Sequence, residues 1–196
     1  MRNKGFGGIV MATAVICEFN PFHNGHKYLL ESAKNVLKEP VIAIMSGSFT
    51  QRGEVAVCDK FVRAKSALEN GADLVLELPV VFSLSGAEGF AKAGVAIASA
   101  FECTNHLAFG SESGDCELLK KSANAVCDER VQALVRDGMK NGGYYPRELE
   151  NAVKTVFGDE ISSVLCEPNN ILGVEYIKAL NGTGVEPFSV ARTGVA

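Results

Sequence analysis

The chain has 196 residues, 47% of them hydrophobic and 21% charged, with 20 glycines, 6 prolines and a formal net charge of −4. That composition is too apolar for a disordered chain, lacks a collagen-like repeat, and suits one globular domain with its own core. It supplies no overall basic field for coating a polyanion, so a nucleotide or nucleic acid must be met by a local site of backbone amides and a few placed cations.

Met1 to Phe19 starts with cations and turns apolar, yet it lacks a cleavage site and runs straight into a turn-rich motif, which argues against a signal peptide. Met11 is a second candidate start, so residues 1–12 are read as an extension and 13–196 as the domain. Residues 13–19 are predicted as a buried strand, followed by a turn and a helix over 26–37. A second strand is expected over 41–45. A helix over 59–70 is stopped by Asn70-Gly71, and a third strand over 72–78 is closed by Pro79. An Ala-rich helix over 85–100 and a strand over 106–109 complete a βα alternation, which predicts an α/β fold with a parallel sheet flanked by helices. The second half reads as helical over 115–136, 146–156 and 169–180, with a last strand over 187–191. The abrupt end at Val195-Ala196 suggests a chain cut from something longer.

Cys17, Cys58, Cys103, Cys116, Cys127 and Cys166 form no CxxC pair, so reduced thiols are expected rather than a zinc ribbon or a disulfide framework. Lys92 interrupts the small-residue stretch 90–101, and no apolar run reaches the roughly 18 residues of a membrane span. A cytosolic protein is the expectation.

His23-Asn24-Gly25-His26 follows the first predicted strand and opens the first predicted helix. Open α/β sheets bind ligands at that end of their strands, and the free amides of a helix N-terminus suit phosphate. Two imidazoles add donors, and Gly25 lets a nucleotide approach the backbone. This combination fits nucleotidyl transfer, where catalysis is mostly positioning and charge neutralisation as pyrophosphate leaves.

Longer blocks surround this motif. They are Glu18-Phe19-Asn20-Pro21-Phe22-His23-Asn24-Gly25-His26, then Met45-Ser46-Gly47-Ser48-Phe49-Thr50-Gln51-Arg52-Gly53-Glu54, the run Glu69 to Pro79, Phe109-Gly110-Ser111-Glu112, and Pro168-Asn169-Asn170-Ile171-Leu172-Gly173. Together they resemble the tRNA(Met) cytidine acetate ligase family, of the nucleotidylyl transferase superfamily, over roughly residues 13–196. The resemblance implies a Rossmann-like fold, activation of acetate by ATP as acetyl-adenylate, and acetyl transfer to N4 of the wobble cytidine of elongator tRNA(Met). It also implies that a C-terminal helical region for tRNA is lacking here. Two rival readings remain, a nucleotidyltransferase of cofactor biosynthesis acting on a small phosphate ester and a non-catalytic nucleotide-binding module.

Carried over by position, the ATP site would comprise Ile16, Cys17, Glu18, Phe19, Asn20, Pro21, Phe22, His23, Asn24, Gly25 and His26, with Gly110 near the adenine, Asn169, Asn170 and Arg192. Gly110 leaves room for a flat base, and Arg192 offers a fork of donors to a phosphate chain. One of Asn169 and Asn170 is also expected to N-cap the helix that follows. His23, His26, Arg52 and Lys60 are the catalytic candidates. Arg52, with Gln51 and either Lys60 or Arg63, is expected to hold acetate or the reacting phosphate. Glu77 is expected to be a paired structural carboxylate and Cys17 an inert strand thiol rather than a nucleophile. Mg2+ is expected to arrive with ATP on the phosphate oxygens, and no protein ligand for it is named.

Overall fold

A computed structural model of the chain describes residues 10–192; the predicted extension's first part, 1–9, and the terminal residues 193–196 lie outside it. Five apolar segments pair side by side as β1 (Ala12–Cys17), β2 (Val41–Ser46), β3 (Leu74–Leu78), β4 (Thr104–Ser111) and β5 (Glu186–Ala191). All are parallel, in the order β3-β2-β1-β4-β5. Between them run α1 (Asn24–Leu37), α2 (Lys60–Glu69), the single turn α3 (Val80–Ser83) and α4 (Ala87–Ala100). After β4 come α5 (Cys116–Cys127), α6 (Glu129–Lys140), α7 (Tyr145–Phe157), α8 (Asp159–Ser163), a 3-10 turn (Val164–Cys166) and α9 (Pro168–Leu180). This is the expected α/β architecture, with helices on both faces of a parallel sheet.

Strand side chains alternate between two cores, as a period of two requires. Val15, Val41, Ala43, Met45 and Ala108 face a smaller core closed by Leu30 and Ala33 of α1 and Ala67 of α2. Ala14, Ile16, Ile42, Ile44, Leu107 and Phe109 face the larger one, closed by α4, α5 and α9. Helix α4 lies close on β1 because Gly94 has no side chain: a Cβ there would stand 2.5 Å from Ile16 Cδ1.

Two expectations need correction. The helix predicted over 115–136 breaks at Asp128, whose backbone is extended (φ −64°, ψ 134°) and whose carboxylate accepts the Arg130 amide at 2.8 Å. Asp128 therefore ends α5 and caps α6, because a short polar side chain competes better at a cap than inside a helix. The second concerns Asn169 and Asn170, which are not the N-cap of α9. That position is Glu167, which makes no side-chain cap bond, with Pro168 at the first helical position. The orphan amide of Asn170 is satisfied from another element, by Glu112 Oε2 at 2.9 Å.

The strand order sets the ligand side. The chain steps outward from β1 to β2 and β3, then crosses back to place β4 on the other flank of β1. The order reverses between β1 and β4, which opens a crevice at their carboxyl ends.

Candidate active site

The chain leaves β1 through Phe19, whose φ of 49° lies in the left-handed region that bulky residues avoid. Burial holds it there. The Phe19 ring is 1% exposed and packs edge-on against Phe22 at 5.0 Å and against His26 at 4.9 Å. The turn then delivers His23 to the N-cap of α1.

Both imidazoles are oriented by the backbone. His23 Nδ1 accepts the Gly25 amide at 3.1 Å, and His26 Nδ1 accepts the His23 amide at 3.3 Å. With Nδ1 occupied as an acceptor, Nε2 is the nitrogen of each ring left to donate. The rings stack at 3.6 Å between centroids, 22° from parallel. Burial, then the neighbouring His23, then the Arg192 charge push His26 down to about 4. His26 is thus a neutral donor at pH 7, and α1 has no acidic residue in its first turn to repel an anion.

The sign of the pH effect follows from the lowered value. Between the ordinary 6.5 and about 4 the unfolded chain binds the proton that native His26 refuses, so His26 takes stability away as pH falls through that window. In a proton NMR titration the His26 ring is expected to stay flat from pH 8 to 5 and to titrate near 4. Replacing Arg192 by Ala is expected to raise that midpoint; a His26 midpoint near 6.5 would refute the packing described.

Arg192 sits across the crevice. Its amide donates to the Ser111 carbonyl at 3.0 Å, continuing the β4–β5 pairing, and a Cβ on Gly110 would lie 3.6 Å from its Cγ. The side-chain stem therefore runs over Gly110, and its charge reaches His26. Asn169 donates to Glu112 Oε1 at 2.6 Å, while the buried Asn170 accepts the Ser113 amide at 3.1 Å. Glu112 and Asn170 together lock the start of α9 onto the loop after β4. Glu112 stands inside a motif block, yet nothing local in the sequence points to its role as a cap supplied from another element.

The remaining residues of the motif split by role. Ile16 is 6% exposed and belongs to the core, so its main chain alone can face a ligand. The Cys17 thiol donates to the Ile44 carbonyl at 3.7 Å, and burial pushes it well above the ordinary thiol range, which leaves no thiolate for attack. Glu18 Oε1 accepts the Gln51 amide at 2.5 Å, and Asn20 Oδ1 accepts the Val57 amide at 2.7 Å. These two bonds tie the turn after β1 to the segment after β2. Pro21, Asn24 and Gly25 are exposed at the mouth.

The segment after β2 folds as a small hairpin through the Phe49–Val55 bridge and the Thr50 amide bond to the Glu54 carbonyl at 2.9 Å. Arg52 is exposed at its tip. Lys60 Nζ stands 2.6 Å from Glu77 Oε2, so Glu77 is paired as expected and the cation of Lys60 is engaged. Arg63 is 1% exposed and spends its guanidinium on main-chain carbonyls: Nη1 on Glu18 at 2.5 Å and Ser46 at 3.2 Å, Nε on Cys58 at 3.3 Å, and Nη2 on Gly47. It is a structural tie rather than an anion holder. Among the described residues no group of three His, Cys, Asp or Glu side chains is arranged to hold a metal ion.

Residues 10–196 match the family model described as HIGH Nucleotidyl Transferase. The chain is 43% identical over 189 residues to a tRNA(Met) cytidine acetate ligase of Caldanaerobacter subterraneus, covering 93% of this chain and 47% of that protein. A Lysinibacillus sphaericus protein of the same name is 40% identical over 188 residues, with 92% and 46% covered. Among solved structures, the fold matches Thermotoga maritima TmcAL bound with alpha-thio ATP at a TM-score of 0.88 and 39% identity, covering 94% of this chain and 47% of that one. The chain spans about half the length of the relatives it matches.

Proposed function

The chain belongs to the HIGH nucleotidyl transferase family, and from that premise we propose that it binds ATP across the β1–β4 crevice and activates acetate as acetyl-adenylate. The observation that carries this reading is the pair of stacked imidazoles at the start of α1, with His26 held neutral, opposite Arg192. Imidazole donors and a helix N-terminus on one side with a guanidinium on the other make a cradle for a triphosphate. An acetate oxygen attacks the α-phosphorus as the Pα–O–Pβ bond breaks, and pyrophosphate leaves with the electron pair. His23, His26 and Arg192 bear the charge that builds on those oxygens. Mg2+ enters as part of the substrate, held by phosphate oxygens and water.

Relatives about twice as long are named tRNA(Met) cytidine acetate ligase, and the second step we propose is that the cytidine N4 amine attacks the acetyl carbonyl, AMP leaves, and the amine proton passes to solvent. We propose elongator tRNA(Met) as the acceptor of this step. Among the described residues no helix is long and apolar enough to cross a membrane, and a tRNA acceptor supports the cytoplasmic location we propose. The test is acetate-dependent exchange of labelled pyrophosphate into ATP. Exchange that needs nicotinate mononucleotide or phosphopantetheine instead would replace this reading with a cofactor-forming one, and nucleotide binding without exchange would leave a binding module.

A further inference from the structure

Among the described residues four buried side-chain polar atoms have no hydrogen-bond partner, and three of them fall within one six-residue stretch: Ser46 Oγ, Thr50 Oγ1 and Gln51 Nε2. A buried polar atom left unpaired is costly, so three together at the ligand end of a parallel sheet call for a partner. Ser46 is 0% and Thr50 3% exposed, so bulk solvent does not supply one. The stretch is tied to the end of β1: Arg63 Nη1 bonds both Glu18 and Ser46 carbonyls, and the Gln51 amide bonds the Glu18 carboxylate.

All three orphaned groups can donate, two as hydroxyls and one as an amide. A ligand that only accepts satisfies all of them, and a carboxylate is the smallest organic one. The cations nearby are committed elsewhere, with Lys60 on Glu77 and Arg63 on carbonyls, while Arg52 is exposed. We infer that Ser46, Thr50 and Gln51 form the acetate subsite, gripping the carboxylate with neutral donors. An ion-paired carboxylate is a poorer nucleophile, so neutral donors leave the attacking oxygen its electron density. This inference rests on the acetate-activating reading above and names where that acid sits.

The test uses this chain with 13C-labelled acetate and α,β-methylene-ATP, which cannot release pyrophosphate. Wild type is expected to bind acetate in the presence of the analogue. Ser46→Ala, Thr50→Val and Gln51→Ala are each expected to weaken acetate roughly three- to tenfold while analogue affinity holds. Thr50→Ser is expected to recover the loss. Thr104→Val removes the fourth orphan, at the opposite end of the sheet, and is expected to leave acetate affinity unchanged. A merely structural Thr50 would lose stability on substitution, whereas removal of an unpaired hydroxyl leaves the acetate-free melting temperature of Thr50→Val at or above wild type. Unmoved acetate affinity in all three variants, or a wild type that binds the analogue and not acetate, overturns the subsite alone. A wild type that does not bind the analogue ends both this inference and the ATP reading.

Discussion

Arg63→Met is expected to destabilise the domain by about 3–5 kcal/mol, read as a lower urea midpoint with an unchanged slope. Methionine fills the space and removes the cost of burying a cation. It cannot serve the Glu18, Ser46, Gly47 and Cys58 carbonyls, which remain in place because they are main chain. Their desolvation outweighs the charge burial that the substitution relieves. Against a total stability of about 5–15 kcal/mol, a loss of this size leaves the fold marginal. Arg63→Lys keeps the charge but offers one nitrogen in place of a planar fork, so most of the loss is expected to persist. A midpoint within experimental error of wild type for both variants would mean that the ends of β1 and β2 are held by something else.

Arg63 also marks the limit of what the sequence discloses. The βα alternation was legible because apolar period and cap chemistry are local. The helix predicted over 59–70 is found as α2, with Asp59 capping it and Asn70-Gly71 ending it, Gly71 at φ 117°. The crevice was legible too, since a motif following the first strand of a parallel sheet has one place to lie. Arg63 is different. On a helix, beside Lys60 and Lys65, it reads as a candidate holder of acetate or phosphate, and its burial as a main-chain tie arises only once β1 and β2 bring three carbonyls to the same point. The same reason hid Glu112 as the partner of α9, 58 residues away in sequence from the amide it satisfies. The break at Asp128 was missed for the opposite reason, a purely local one. Aspartate followed by Glu129 and Arg130 fits a continuous helix by composition, and the competing cap bond shows only in the backbone.

The imidazoles allow a sharper test of chemistry, because the two nitrogens of His26 do different jobs. Nδ1 accepts the His23 amide and so completes the start of α1, while Nε2–H faces the proposed triphosphate. His26→Ala removes both, and the loss of one donor to a developing charge is worth about 10²–10³ in the rate of pyrophosphate exchange. Asparagine places its amide where Nδ1 stands and reaches no further, whereas glutamine reaches the place of Nε2. His26→Asn is therefore expected to keep the wild-type melting temperature and to exchange as poorly as His26→Ala. His26→Gln, with glutamine a usual capping-box partner at the third helical position, is expected to keep the cap as well, while retaining exchange well above the alanine variant. An asparagine variant that exchanges like wild type would make His26 a helix cap alone and would move the phosphate contact to His23 and Arg192.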